Sequence, residues 1–137
     1  MLIDFDDAGS GPAVALLHSS LADRRMWDPQ WSVLSGTGLR VVRVDFRGHG
    51  STPAPTSPFN AACDVVAVLD ECGIDRVTLI GSSYGGRVAQ EVAARWPRRA
   101  VALQLWCAAT RLHPPTLEDP ATANELLLAH LTGTIGG

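Results

Sequence analysis

Gly81-Ser82-Ser83-Tyr84-Gly85 directly follows the apolar run Val77-Thr78-Leu79-Ile80 and opens a stretch with helical spacing. This is a G-x-S-x-G pattern in a strand-turn-helix setting. A serine on so tight a turn projects its hydroxyl out of the backbone, and the flanking glycines let the turn close. The chemistry on offer is nucleophilic attack on a carbonyl. The backbone N–H groups that open the following helix can hold the resulting oxyanion. Ser83 is the candidate nucleophile, with Gly81 and Gly85 in support. Ser82 is the rival hydroxyl, but it lacks glycines at −2 and +2.

A serine hydroxyl needs a base of near-neutral pKa, and that base needs an orienting carboxylate. Carboxylates after Ser83 include Glu91, Glu118 and Asp119, and the histidines are His113 and His130. Asp119 and His130 would sit about 16 Å apart on a continuous helix at ~1.5 Å per residue, too far to pair. Glu91 falls mid-helix, toward solvent. His113, beside Pro114, would have to fold back over the crevice. No triad acid or base is identifiable in the chain.

The elements that must position Ser83 alternate in type. Leu2 to Phe5 reads as a short strand and Asp6 to Pro12 as a turn rich in Gly and Asp. Ala13 to Leu17 is an apolar strand ending at His18. Ala22 to Leu34 reads as a short helix, with Trp27 and Trp31 at i, i+4. Leu39 to Val44 is a second buried strand, ending in Asp45-Phe46-Arg47-Gly48-His49-Gly50-Ser51. The three prolines of Thr52 to Pro58 make that stretch irregular. Asn60 to Cys72 is a helix with Val65, Val68, Leu69 and Cys72 on one face and Gly73 as its stop.

Arg76 to Ile80 is the strand into the serine turn. Tyr84 to Trp96 is a helix with Val88, Val92 and Ala93 inward, ended by Pro97. Ala100 to Trp106 is a further strand. This order implies an α/β fold: a mostly parallel sheet of about five strands with helices on both faces. The crevice of such a sheet lies at the carboxyl ends of its strands, where His18, Asp45 and Ser83 all fall. Ala121 to Leu131 reads as helical after the break at Pro114-Pro115.

Composition bounds the partners. The 137 residues suit one domain, and 46% hydrophobic with 18% charged residues suits a soluble globular protein. A net charge of −3 argues against nucleic acid, which asks for a basic face. No apolar run reaches the ~18 residues of a membrane span, and no signal peptide is seen. Cys63 and Cys72, on one helix, would lie about 13 Å apart, beyond the ~7 Å a disulfide allows. Reduced thiols and a cytoplasmic location are the expectation. No metal-ligand spacing appears, and no cofactor is implied.

The motifs together resemble the α/β-hydrolase family, in particular lactonases and carboxylesterases. Three stretches carry the resemblance over roughly Leu2 to Ala109. Leu16-Leu17-His18-Ser19-Ser20 is similar to the family's strand-then-His-Gly loop, with Ser19 in place of Gly. Asp45 to Ser51 matches a family loop. Gly81 to Gly86 matches the nucleophile elbow. Ser19-Ser20 with Met26-Trp27-Asp28-Pro29-Gln30 looks most like enol-lactone hydrolases.

The resemblance implies an acyl-enzyme on Ser83 and a small ester or lactone substrate. Esterases, lactonases, perhydrolases, thioesterases and acyltransferases all remain open under it. It implies two oxyanion donors, the N–H groups of Tyr84 and Ser20. It implies that His18 supports its loop rather than acting as the base, and that Asp45, Arg47 and His49 order backbone. The tryptophans Trp27, Trp31, Trp96 and Trp106 read as core or pocket wall.

In the family the acid and the histidine follow on later strands. Residues 1–109 therefore read as the N-terminal portion of a hydrolase core, and 110–137 as the start of a cap segment or an irregular tail. Three situations stay open: a fragment of a longer chain, a chain completed by a partner, or a small relative that binds without catalysing. Little turnover is expected of the chain alone. The strand 100–106 becomes an apolar edge that invites self-association.

Overall fold

The computed structural model of the protein describes residues 2–106. Within them, β1 (Phe5–Gly9), β2 (Ala13–Leu17), β3 (Arg40–Val44), β4 (Val77–Ser82) and β5 (Ala100–Trp106) form a five-stranded sheet in the order β1-β3-β2-β4-β5. β3, β2, β4 and β5 run parallel, and β1 lies antiparallel on the β3 edge. α1 (Asp28–Ser35), reached through a 3₁₀ turn at Arg24–Trp27, packs on one face. α2 (Ala61–Glu71) and α3 (Tyr84–Arg95) pack on the other.

Each central element follows from its side chains. All six residues of β4 are buried, as expected of a parallel strand covered on both faces. On the α2–α3 face, Leu17, Val44 and Leu79 meet Val65, Val68 and Leu69 of α2 and Val88, Ala89 and Val92 of α3. On the α1 face, Leu16, Val41 and Ile80 meet Trp27 and Leu34, and the Trp27 ring lies edge-on to Trp106 at 5.9 Å. Asn60 starts α2, its Oδ1 accepting from the Cys63 N–H at 2.8 Å, and Gly73 at φ +68° stops it. Cys63 and Cys72 are free thiols.

The first strand departs from the sequence expectation. It runs over Phe5–Gly9, through residues whose Asp and Gly content reads as a turn. Cross-strand charge decides it: Asp6 sits opposite Arg43 and binds its Nε at 2.9 Å, while Asp7 takes a two-bond contact from Arg40 at 2.7 and 3.0 Å. Two carboxylates that favour turns in isolation are thus matched to two guanidiniums on the neighbouring strand. The stretch expected as one helix from Ala22 is a 3₁₀ turn followed by α1, with Pro29 in the first turn of α1. In α3 it is Ala89, not Ala93, that is fully buried, and Cys72 is half-buried at the C-cap of α2.

Candidate active site

The site is built where β2, β3 and β4 end side by side. Leu17 pairs with Gly81 in the parallel register, so the residues that follow each strand, His18-Ser19-Ser20 and Ser82-Ser83-Tyr84, emerge together. Gly85 draws them closer. A methyl group there would run into the carbonyl oxygens of Leu17 and His18, so the first turn of α3 lies directly against the end of β2. Gly81 is equally constrained, because a Cβ would strike the backbone of Gly85 and Gly86 across the turn. Both flanking glycines are required by backbone approach, and no flexible side chain could give way.

Ser83 is the one described non-glycine residue with positive φ, at φ 54° and ψ −111°. That conformation carries strain for an L-residue. Its N–H donates to the Trp106 carbonyl at 2.9 Å, tying the elbow to the end of β5. Ser83 is exposed, whereas Ser82 is only 3% exposed. Of the two adjacent serines, Ser83 is the one open to solvent. Tyr84 is the first residue of α3, so its N–H has no acceptor within the helix.

The facing loop is fixed by histidine. His18 is fully buried, and its Nε2 accepts from the Phe46 N–H at 3.0 Å. Since that nitrogen accepts, the other must donate: Nδ1–H goes to the Ser19 carbonyl at 2.7 Å. The ring is therefore neutral, with its tautomer set by the backbone on both sides. Burial pushes the His18 pKa below its usual value, against the opposite pull of the Ser19 carbonyl. Its basic lone pair is engaged, so it is a structural tie and has no lone pair left for Ser83. Ser19 gives its own N–H to the Met26 sulfur at 3.5 Å, while the N–H of Ser20 has no acceptor among the described residues.

The third loop follows β3. Asp45, nearly fully buried, accepts from the Ser51 N–H at 2.9 Å, closing its own loop, and from the Arg24 N–H at 2.7 Å. Thr52 is a tie the sequence gives no motif for. Its hydroxyl donates to the Asp45 carbonyl at 2.8 Å and accepts from the Asp4 N–H at 2.9 Å. Arg47 reaches Asp64 of α2 through two bonds of 2.8 and 3.0 Å. His49 places Nδ1 3.0 Å from the Arg47 carbonyl and Nε2 2.9 Å from the Ser20 carbonyl. The three loops meet in a row of ring contacts: His49 on His18 at 5.0 Å, His18 on Phe46 at 4.7 Å, and Phe46 on Tyr84 at 5.3 Å.

Burial among these rings pushes the Tyr84 hydroxyl pKa up, so it remains a neutral phenol. A cleft of about 300 Å³ opens beside Tyr84 between α2 and α3, but neither Ser83 nor Ser20 lines it. No group of three or more His, Cys, Asp or Glu side chains suited to a metal is found among the described residues. Trp27 and Trp106 are buried, and Trp31 and Trp96 are part-buried under Arg43 and Arg95. Glu91 is exposed and faces Arg95 at 3.7 Å. His113, Glu118, Asp119, His130 and the helix expected over 121–131 lie outside the described residues.

Comparison with known proteins agrees with this geometry. Epoxide hydrolase 2 of Siraitia grosvenorii is 39% identical over 100 residues, covering 69% of this chain and 32% of its own length. The enol-lactonase from Burkholderia xenovorans LB400 superposes with a TM-score of 0.68 at 32% identity, over 74% of this chain and 41% of that one. Est816, an N-acyl homoserine lactone degrading enzyme, superposes with a TM-score of 0.72 at 30% identity, over 75% and 40%. The chain spans about a third of the length of the curated relatives it matches. A model of the alpha/beta hydrolase family matches residues 14–134. With the parallel sheet, the strained serine turn and the facing histidine-held loop agreeing with that match, the chain belongs to the alpha/beta hydrolase family.

Proposed function

We propose that this chain contributes the nucleophile and oxyanion cradle of a hydrolase acting on small carboxylic esters or lactones. The observation that carries the reading is Ser83, exposed on a strained elbow at the end of β4 beside the His18–Ser20 loop. Its Oγ attacks the carbonyl carbon as its proton passes to a base. The carbonyl oxygen becomes an oxyanion, held by the N–H groups of Ser20 and Tyr84. Collapse expels the alcohol and leaves an acyl group on Ser83, which water then removes as the acid. The base is not His18, whose lone pair is engaged, and His49 faces carbonyl oxygens with both nitrogens.

The identity of the nucleophile bears on substrate class. Several relatives are named epoxide hydrolases. A serine that opened an epoxide would be left as an ether, which water does not cleave under mild conditions. A serine that opened an ester or lactone is left as an ester, which water cleaves. A serine at the elbow therefore favours acyl substrates over epoxides. Acyl transfer to an acceptor other than water uses the same intermediate and stays within the same reading.

A fluorophosphonate probe and p-nitrophenyl acetate test it. Stoichiometric labelling that disappears in Ser83→Ala is the expected result. Labelling that survives Ser83→Ala, or turnover of styrene oxide with none of p-nitrophenyl acetate, would overturn the reading.

A further inference from the structure

We propose that His49 is a positioning residue for the oxyanion site, acting through the Ser20 carbonyl. This rests on Ser20 being an oxyanion donor, as read above. Ser20 lies between two peptide planes, and each is held from one side. The Ser19 carbonyl, which shares a rigid trans peptide with the Ser20 N–H, receives His18 Nδ1–H at 2.7 Å and the Ala22 N–H at 3.1 Å. Fixing that carbonyl fixes the opposite direction taken by the Ser20 N–H. The following plane carries the Ser20 carbonyl and the Leu21 N–H. Among the described residues, its tie is His49 Nε2 at 2.9 Å.

Packing does not substitute for that tie. Leu21 is 98% exposed, so no apolar side chain anchors the loop just past Ser20. His49, in contrast, sits on a braced support. Its N–H donates to the Phe46 carbonyl at 2.9 Å, and its carbonyl accepts from the Thr52 N–H at 3.0 Å. Gly48 N–H reaches the Thr52 and Pro53 carbonyls at 3.2 and 3.0 Å, and Arg47 holds α2 through Asp64. The loop after β3 thus carries the stiffness of the sheet and α2 to Ser20.

The competing role for His49 is closure of its own loop through Nδ1 and the Arg47 carbonyl, 3.0 Å away. The two contacts use different ring nitrogens, so they are separable by substitution. Gln carries an amide N–H near the Nε2 position, Asn carries one near Nδ1, and Phe keeps the ring against His18 while donating nothing. The full chain carrying each variant is reacted with a fluorophosphonate over a range of concentrations. This separates the bond-forming rate from probe affinity.

His49→Gln should slow bond formation by no more than about threefold, while His49→Asn and His49→Phe slow it about tenfold, with affinity unchanged. That loss is smaller than the roughly hundredfold of a donor removed outright. An Asn variant that reacts like wild type while Gln fails, or a Phe variant that reacts like wild type, would overturn the role. If no Ser83-dependent label forms at all, the hydrolase reading fails instead, and ¹⁵N relaxation decides the positioning by itself. The Leu21 amide order parameter should be about 0.85 in wild type and His49→Gln and fall below about 0.6 in Asn and Phe. A rigid Leu21 amide in His49→Phe would reject the tie.

Discussion

The serine elbow and the loop that faces it are held by different physics. At the elbow, hard backbone contact does the holding. Gly81 and Gly85 leave no room for a Cβ, and Ser83 between them takes φ 54°. At the facing loop, no residue from His18 to Ala22 has positive φ. Side-chain hydrogen bonds from buried or braced histidines set the peptide planes instead. Steric definition is insensitive to pH, and at Gly85 it reaches across to the end of β2. Hydrogen-bond definition is long-range, and it depends on the protonation state of imidazole.

That contrast can be broken from either side. The largest effect is expected at Gly85→Ala, where the added methyl meets the Leu17 and His18 carbonyls and neither can retreat without distorting β2. A loss of about 3 kcal/mol, read from urea unfolding, is expected. An alanine variant with the wild-type midpoint would show that the elbow is not sterically defined.

Next in size is His18→Leu. It fills similar space but strands the buried Phe46 N–H, at a cost of about 2 kcal/mol. A neutral effect on unfolding would mean the facing loop is held by packing rather than by hydrogen bonds.

The pH dependence sharpens the comparison further. Burial holds the folded His18 pKa below its unfolded value of 6.5. Below pH 6.5 the unfolded chain gains a proton that the folded chain refuses. Stability is therefore full above that pH and is lost as the pH falls toward the folded pKa. The slope contributed is at most about 1.4 kcal/mol per pH unit. Urea midpoints between pH 7.5 and 5 should show this slope in wild type and not in His18→Leu. Parallel profiles for the two proteins would rule out the linkage.

The smallest expected effect is a gain. Ser83→Gly releases a strained backbone, and the relief of ~1–3 kcal/mol outweighs the extra freedom of glycine in the unfolded chain. A net stabilisation of about 1 kcal/mol should accompany complete loss of phosphonate labelling. A lower melting temperature would mean that the elbow stores no strain.

The amino-acid sequence by itself determined the alternation of apolar strands and amphipathic helices, and the serine turn with its glycines. Those signals lie within a few residues of each other and arise from periodicity and backbone sterics. It also placed His18, Asp45 and Ser83 at one edge of the sheet, because parallel strands with right-handed crossovers leave little choice. Tertiary structure alone decided the rest. Asp6 and Asp7 joined a strand because Arg43 stands opposite Asp6 and Arg40 reaches Asp7 diagonally, each more than 30 residues away in the chain. His18 is a neutral tie because the Phe46 N–H, 28 residues on, points at its Nε2. His49 reaches Ser20 across 29 residues. Hydrogen bonds and ion pairs between distant segments leave no periodic trace in sequence. Their partners are chosen only when the sheet brings the strand ends together.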